Sequence, residues 1–265
     1  MLENFNYKKK FGQNFIYDEN LLKNMVKFGN IDSNSLVVEV GAGAGTLTEQ
    51  IAKIAKKVVS FEIDADLKPH LEEKFKNQDN ICIVFQDAMK ISNEKINSFV
   101  GGKFSLIANL PYYITTPLIF KFLENENCTS LTIMTQKEVA ERIVSSEGTK
   151  EYGILSVTIG AVSNAKICKI IPKEAFTPKP QVDSAIIHIE KKQANVQYET
   201  LKKLVQASFA MRRKTLQNNL TKSLLLKENF LDICTRLGIN PASRAEQLST
   251  QKFIEFANEI DKLKK

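Results

Sequence analysis

The chain has 265 residues, 43% of them hydrophobic and 25% charged, with a formal net charge of +7. This is the balance of an ordinary globular protein with room for one large domain and a small one; no apolar run approaches the roughly 20 residues that span a bilayer, and Met1–Lys10 lacks the apolar core of a signal peptide, so a cytoplasmic location is expected. The charge is unevenly placed: residues 1–190 carry 22 Lys+Arg against 23 Asp+Glu, residues 191–265 carry 15 against 7, and an excess of cations confined to the last quarter points to a polyanionic partner, most simply nucleic acid.

In chain order, residues 5–17 interleave Lys8, Lys9 and Lys10 with Phe11, Phe15, Ile16 and Tyr17 around Gly12. They predict an extended arm that is docked rather than free, suited to contact a phosphate backbone or to close over a ligand. Asp18 then reads as the N-cap of a helix with Leu21, Leu22, Met25 and Val26 on one face. Ser35–Val40 predicts a strand, Gly41–Gly45 a glycine turn and Thr46–Ala55 a helix, which together form the first unit of a nucleotide-binding α/β sheet. A second strand, Lys57–Phe61, ends at Glu62, about 20 residues past the glycine turn, where an acid accepts hydrogen bonds from ribose hydroxyls. A third, Ile81–Phe85, leads to Asp87, whose carboxylate is placed to accept from an adenine amino group.

The fourth strand, Phe104–Ala108, runs into Asn109-Leu110-Pro111-Tyr112. Ligand crevices in open α/β sheets lie beyond the carboxyl ends of the strands. There, the Asn109 amide oxygen and the Leu110 carbonyl can together accept both hydrogens of a flat exocyclic amine. Pro111 stiffens the bend through its fixed φ, and Tyr112 can stack on a planar base. This set of groups suits an adenine presented for attack by its N6.

The glycine run reads G-x-G-x-G, and position 46 is Thr where the dinucleotide pattern would place its third glycine. That turn suits a ligand without phosphates, and favours S-adenosylmethionine over a nicotinamide cofactor.

Further on, Leu131–Gln136 predicts a fifth strand, Lys137–Val144 a short helix, and Tyr152–Ala161 a buried helix. Ala165–Ile171 alternates as a strand, and Phe176–Ser184 is a loop stiffened by Pro178 and Pro180. Ala185–Ile189 is the last strand. Phe176 is a candidate second wall for the base. Lys191–Gln197 reads as a linker between a domain over residues 1–190, with its arm 1–17, and an all-helical domain over residues 191–265. Helices are expected over Tyr198–Phe209, Lys214–Leu226, around Phe230–Cys234, and over Thr250–Leu263. Met211-Arg212-Arg213-Lys214, with Lys222, Arg236 and Arg244, predicts a basic face for RNA phosphates and shape.

Cys82, Cys128, Cys168 and Cys234 stand far apart with no Cys-x-x-Cys spacing, so reduced buried thiols are expected. The two histidines, His70 and His188, are also far apart. No metal is expected, and His188 is placed on the sheet surface.

The chain resembles, nearly end to end, the bacterial small-subunit ribosomal RNA adenine dimethyltransferases, or dimethyladenosine transferases. The motifs are Phe11-Gly-Gln-Asn-Phe-Ile16, Glu39-Val-Gly-Ala-Gly-Ala-Gly-Thr-Leu-Thr48, Asn109-Leu-Pro-Tyr112, Gln136-Lys-Glu-Val-Ala140 and Phe176-Thr-Pro-Lys-Pro-Gln-Val-Asp-Ser184. Most are shared with the macrolide-resistance methylases of large-subunit RNA. Arg212-Arg-Lys-Thr-Leu-Gln-Asn-Asn-Leu220 and Leu237-Gly-Ile-Asn-Pro-Ala-Ser-Arg-Ala-Glu246 favour the small-subunit family. Ala42 stands where that family often has proline, and Tyr113 where asparagine commonly follows the tetrad.

The resemblance implies a Rossmann-like class I S-adenosylmethionine-dependent methyltransferase sheet with a small helical C-terminal domain. It implies a cofactor site in which Asn14 and Ile16 close over the methionine part and Gly41 lies along its backbone. Glu62 takes the ribose, Asp87 the adenine amine, and Asn109 lies between cofactor and target. It implies a monomer that dimethylates N6 of two adjacent adenosines in a hairpin loop near the 3′ end of small-subunit RNA. The alternatives are an RNA-binding assembly factor with secondary methylation and a large-subunit methylase.

Overall fold

A computed structural model describes residues 18–221 and 229–264. The arm 1–17, which carries Asn14 and Ile16, lies outside the described residues, as does Lys222. The first described helix is α1 (Glu19–Phe28), and the expected cap is formed: the Asp18 carboxylate accepts from the N–H groups of Asn20 and Leu21. Leu21, Leu22, Met25 and Val26 are its buried face, and each such side chain contributes about 1.5–3 kcal/mol when removed from water.

Strands and helices then alternate: β1 (Leu36–Val40), α2 (Thr46–Ala52), β2 (Lys57–Phe61), α3 (Lys68–Phe75), β3 (Ile81–Val84), α4 (Asn93–Val100), β4 (Phe104–Asn109), α5 (Thr115–Glu124) and β5 (Cys128–Gln136). After these come α6 (Lys137–Val144), α7 (Ile154–Val162), β6 (Ser163–Ile171) and β7 (Ser184–Lys191). The strands form one sheet in the order β3-β2-β1-β4-β5-β7-β6. The pairs β3–β2, β2–β1, β1–β4 and β4–β5 are parallel, and β7 runs antiparallel to β5. β1 to β4 are mostly apolar because helices cover a parallel sheet on its faces, whereas β5 mixes apolar residues with threonine and serine. Val37, Val58, Ile107, Met134 and Ile186 form one buried cluster with Leu22 and Val26 of α1 and Leu47 and Ile51 of α2. From β1 the chain moves outward to β2 and β3, then returns to lay β4 on the other side of β1. The carboxyl ends of β1 and β4 therefore flank the point where the winding reverses, which is where such sheets open a crevice.

The last part of the chain is helical: α8 (Tyr198–Ser208), α9 (Leu216–Leu220), α10 (Phe230–Leu237) and α11 (Thr250–Lys262). The helix expected over 214–226 is realised, within the described residues, as α9 alone, started by a Thr215 cap on the Asn218 N–H.

The chain divides into two compact units, one holding residues up to Ala140 with Lys166–Lys191, the other Glu141–Ala165 with the chain from Lys192 onward. The expected first domain of 1–190 takes in Glu141–Ala165, which the structure groups instead with the chain from Lys192 onward. The cause of this excursion is α7, whose sequence ILSVTIGAV has no polar stripe wide enough for a surface helix. Val157 and Ala161 of α7, with Tyr152 just before it, are buried in the same cluster as Leu201, Phe209 and Phe253. The Tyr152 hydroxyl donates to the Leu248 carbonyl at 2.8 Å, and its ring meets Phe209 edge-on at 6.2 Å.

Two smaller expectations are corrected. His188 is buried rather than on the sheet surface, with Nδ1 2.8 Å from Thr132 Oγ1 across the β5–β7 pair. Of the four thiols, Cys128 and Cys234 are buried, whereas Cys82 and Cys168 are partly exposed.

Candidate active site

The glycine turn leaves β1 with Gly41 at φ +85°, Gly43 at +55° and Gly45 at +72°, the left-handed region in which a side chain is strained. Gly45 is also closed to any larger residue by packing: an added Cβ would stand 2.7 Å from the Phe75 ring of α3. At Gly41 the nearest atom to such a Cβ would be the Asn109 carbonyl oxygen at 3.9 Å. The turn after β1 and the end of β4 thus face each other, with backbone rather than side chain lining the gap. The Gly41 N–H donates to the Phe61 carbonyl at 2.8 Å. His70 Nε2 and Lys74 Nζ lie 3.3 and 3.2 Å from the Ala44 carbonyl, fixing the turn from α3.

Glu62, at the end of β2, is buried against this turn. Its Oε2 accepts from the Gly43 N–H at 2.9 Å and its Oε1 from the Asp64 N–H at 2.8 Å. Burial raises its pKa, opposed by these two N–H groups. Each carboxylate oxygen keeps a second lone pair, so an oriented acid still has capacity for hydroxyl donors. Asp87 follows β3; its Oδ1 accepts from the Met89 N–H at 2.9 Å. Lys121 of α5 donates to the Met89 carbonyl at 3.2 Å and also to the Ile91 carbonyl, which holds that loop in place.

Beneath the turn lies Glu39 of β1, fully buried. Its Oε2 accepts from Thr48 Oγ1 at 2.6 Å and Ser60 Oγ at 2.7 Å, while Oε1 has no hydrogen-bond partner. Burial pushes this carboxyl up to about 7. The strand pattern alone did not single it out; the only signal was an acid inside an otherwise apolar strand, Leu-Val-Val-Glu-Val.

These groups surround one cavity of about 310 Å³, whose lining includes Gly41, Glu62, Asp87, Asn109, Leu110 and Tyr113. Five of the sequence-predicted positions therefore come together: Gly41, Glu62, Asp87, Asn109 and Leu110. Tyr112 and Phe176 are not among the lining residues. Tyr112 is half-buried with its hydroxyl 2.7 Å from Ser184 Oγ. Phe176 is only 4% exposed and packs with Leu22, Met134 and Ile186. The structure seats it in the core rather than at a base-binding wall, because the loop after β6 turns its apolar residues under α1. Asn14 and Ile16 cannot be placed, lying outside the described residues.

The basic cluster is divided. Arg213 and Lys214 are exposed. Arg212 instead donates through Nη2 to the Lys150 and Tyr152 carbonyls, at 2.7 and 3.0 Å. Arg236 pairs with Glu259 at 3.0 Å.

The model of the ribosomal RNA adenine dimethylase family matches residues 4–262. The chain belongs to that family. It is 42% identical to the ribosomal RNA small subunit methyltransferase A of Bacillus cereus (strain B4264), over 97% of this chain and 92% of the relative. With the protein of the same name from Geobacillus sp. (strain WCH70) the identity is 40%, over the same shares. Among solved structures, a dimethyladenosine transferase from Plasmodium falciparum superposes with a TM-score of 0.78 at 24% identity, covering 94% of this chain and 98% of the other. The 23S rRNA methyltransferase ErmE gives 0.71 at 22% identity, covering 93% and 99%. Both show the shared class I methyltransferase fold. As a member of the rRNA adenine dimethylase family, this chain is an S-adenosylmethionine-dependent rRNA methyltransferase. The chemistry of the lining fits that donor: glycines leave a backbone-lined gap beside Asn109, and the carboxylates of Glu62 and Asp87 border the same cavity. Among the described residues, no group of three or more His, Cys, Asp and Glu could hold a metal ion. No described helix is long and apolar enough to cross a membrane.

Proposed function

We propose that this protein dimethylates N6 of two adjacent adenosines in the 3′-terminal hairpin loop of small-subunit rRNA, during assembly of that subunit in the cytoplasm, acting as a monomer. The observation that carries this reading is the meeting of Gly41, Glu62, Asp87, Asn109 and Leu110 around one cavity at the point where the sheet's winding reverses. The curated relatives, named as small-subunit methyltransferases, support the choice of RNA.

S-Adenosylmethionine supplies an electrophilic methyl on a sulfonium. Gly41 borders its methionine end, Glu62 accepts from the ribose and Asp87 from the adenine amine, with Asn14 and Ile16 assigned to the methionine part by resemblance alone. The target adenine leaves its stack at a cost of a few kcal/mol. Stacking on the Tyr112 ring, held by Ser184, returns about 1–3 kcal/mol. The Asn109 amide oxygen and the Leu110 carbonyl accept the two N6 hydrogens. This draws the nitrogen towards a pyramidal shape with its lone pair in line with the methyl. The N–C bond forms as the C–S bond breaks, sulfur keeps the electron pair, and the cationic nitrogen sheds its proton to water. Catalysis is then mainly positioning and electrostatics.

The test combines purified protein, labelled S-adenosylmethionine, and small subunits lacking the dimethyladenosines, with products mapped by primer extension. Label on two adjacent small-subunit adenosines is expected. Label only on large-subunit RNA would overturn the choice of substrate, and tight subunit binding without transfer would overturn the catalytic reading. Asn109→Ala is expected to cut turnover far more than RNA affinity; an equal loss in both would remove the proposed role of Asn109.

A further inference from the structure

Tyr113 lines the cavity and is also 59% exposed. Among the described residues, the only other large hydrophobic side chain that is both exposed and part of this lining is Ile63. Singly exposed apolar side chains are common on protein surfaces. An aromatic ring at the rim of a binding cavity has more to explain, because a ring with that much area in water gains from any flat partner that covers it.

The backbone under the ring is fixed. The Ile114 N–H and Thr115 Oγ1 both reach the Pro111 carbonyl at 3.1 Å, and the preceding Tyr112 is tied to Ser184. Pro111 stands at φ −57°. The ring is therefore presented by a rigid turn, and a tyrosine has few side-chain rotations to lose on contact.

Strand order separates the two ends of the cavity. Ile63, Glu62 and Asp87 follow β2 and β3, on one side of β1, whereas Tyr113 follows β4 on the other. Tyr113 thus stands at the end where the nucleophile enters, away from the acids assigned to the donor's ribose and adenine. A base drawn out of its stack leaves its neighbour in the strand with one bare face, and aromatic side chains are the sequence-tolerant partners for bare base faces.

We infer that Tyr113 is a nucleobase-stacking residue, receiving the RNA base next to the one that enters the cavity. The inference rests on the functional reading above and adds a substrate-binding residue to it.

The test uses the full chain and a small-subunit hairpin RNA carrying 2-aminopurine beside the target adenosine, for fluorescence, together with unmodified subunits for kinetics. Parent protein is expected to quench the 2-aminopurine on binding. Tyr113→Ala should lose the quench and raise KM for RNA about 5- to 150-fold, the range for one lost stacking contact. Its dissociation constant for S-adenosylmethionine should stay within about twofold, since a residue so exposed supports little of the core. Tyr113→Phe should behave as the parent, and Tyr113→Leu as the alanine variant.

An unchanged KM and quench in Tyr113→Ala would overturn the inference, and so would a parallel loss of donor affinity, which would assign the ring to the cofactor. Parent protein that binds and quenches but transfers no methyl would sink the proposed function while leaving the contrast between Tyr113 variants to decide this residue. Absence of any quench with the parent overturns the stacking role directly.

Discussion

The Tyr112 hydroxyl lies 2.7 Å from Ser184 Oγ, joining the turn after β4 to the first residue of β7 across 72 positions of sequence. Ser184 is fully buried, paired in register with Gln136 at the end of β5. Burial raises the Tyr112 phenol above its ordinary value, so the group stays a neutral hydroxyl. The rest of the turn is held by the Ile114 N–H and Thr115 Oγ1 on the Pro111 carbonyl, and the bond to Ser184 adds a fixed point at the far end of the ring, which suits the base-stacking role proposed for Tyr112.

Ser184→Ala removes that tie without touching the cavity lining. The expected result is a fall in turnover of roughly 2- to 12-fold, the worth of one hydrogen bond, with donor affinity unchanged. Single-turnover methylation beside calorimetric donor binding checks it. Equal turnover in the variant would show that Tyr112 needs no hydroxyl partner.

Glu39 makes a pH-dependent prediction. Its carboxyl is raised from 4.5 to about 7, first by burial and also by the charge of Glu62, against the hydroxyls of Thr48 and Ser60 and the charge of Lys74. Between those values the folded chain holds a proton that the unfolded chain has released. The stability associated with neutral Glu39 is therefore complete below 4.5 and is lost as pH rises through about 7. Glu39→Gln cannot ionise. Its unfolding free energy relative to the parent should shift in its favour between pH 5 and pH 8, by roughly 3 kcal/mol at most. Urea unfolding at both pH values reads the difference, and a constant offset would show that Glu39 does not titrate in this range.

Much of this architecture was legible in the chain, for identifiable reasons. β1, β2 and β4 are each mostly apolar, broken only by Glu39, by Lys57 and Ser60, or by Ser105, and each stops at a chemically distinct group, Gly41, Glu62 or Asn109, so strand and site announced each other. The surface helices α3, α4 and α5 were not among the expected elements. α3 carries a proline and several charges and has only Leu71 and Phe75 buried, so its apolar signal is thin. Phe176 and Tyr113 show a different limit. An aromatic in a proline-rich loop reads the same whether it faces a ligand or the core, and only the path of the loop under α1 decides. Arg212 likewise reads as one more RNA-facing cation until the carbonyls of Lys150 and Tyr152 are found against it.

Phe176 is expected to act chiefly on stability. Phe176→Ala should destabilise the protein by about 3–5 kcal/mol, as for other buried phenylalanines. Phe176→Leu keeps most of the packing and removes the aromatic face, so it should retain turnover. Thermal unfolding and methylation assays on both variants separate the roles: if Phe176→Leu keeps its Tm and loses turnover, the ring belongs to the base-binding wall after all.

The basic cluster divides in the same way under salt. Arg213 and Lys214 are exposed. If each neutralises one RNA phosphate, each releases counterions on binding, and the slope of log K against log salt carries about 0.7–0.9 per contact. Replacing both by alanine should flatten that slope by about 1–2 and weaken binding at low salt most. Arg212 is held differently, by two carbonyls of the 141–165 excursion and by Glu246 with Nε 3.6 Å from its carboxylate. Arg212→Ala should leave the slope nearly unchanged and lower stability instead, by roughly 1 kcal/mol for partly solvated bonds. Titrations of subunit RNA over a salt series, run beside thermal unfolding, test both arms. A slope that falls equally in Arg212→Ala would mean that this guanidinium leaves its carbonyls when RNA binds.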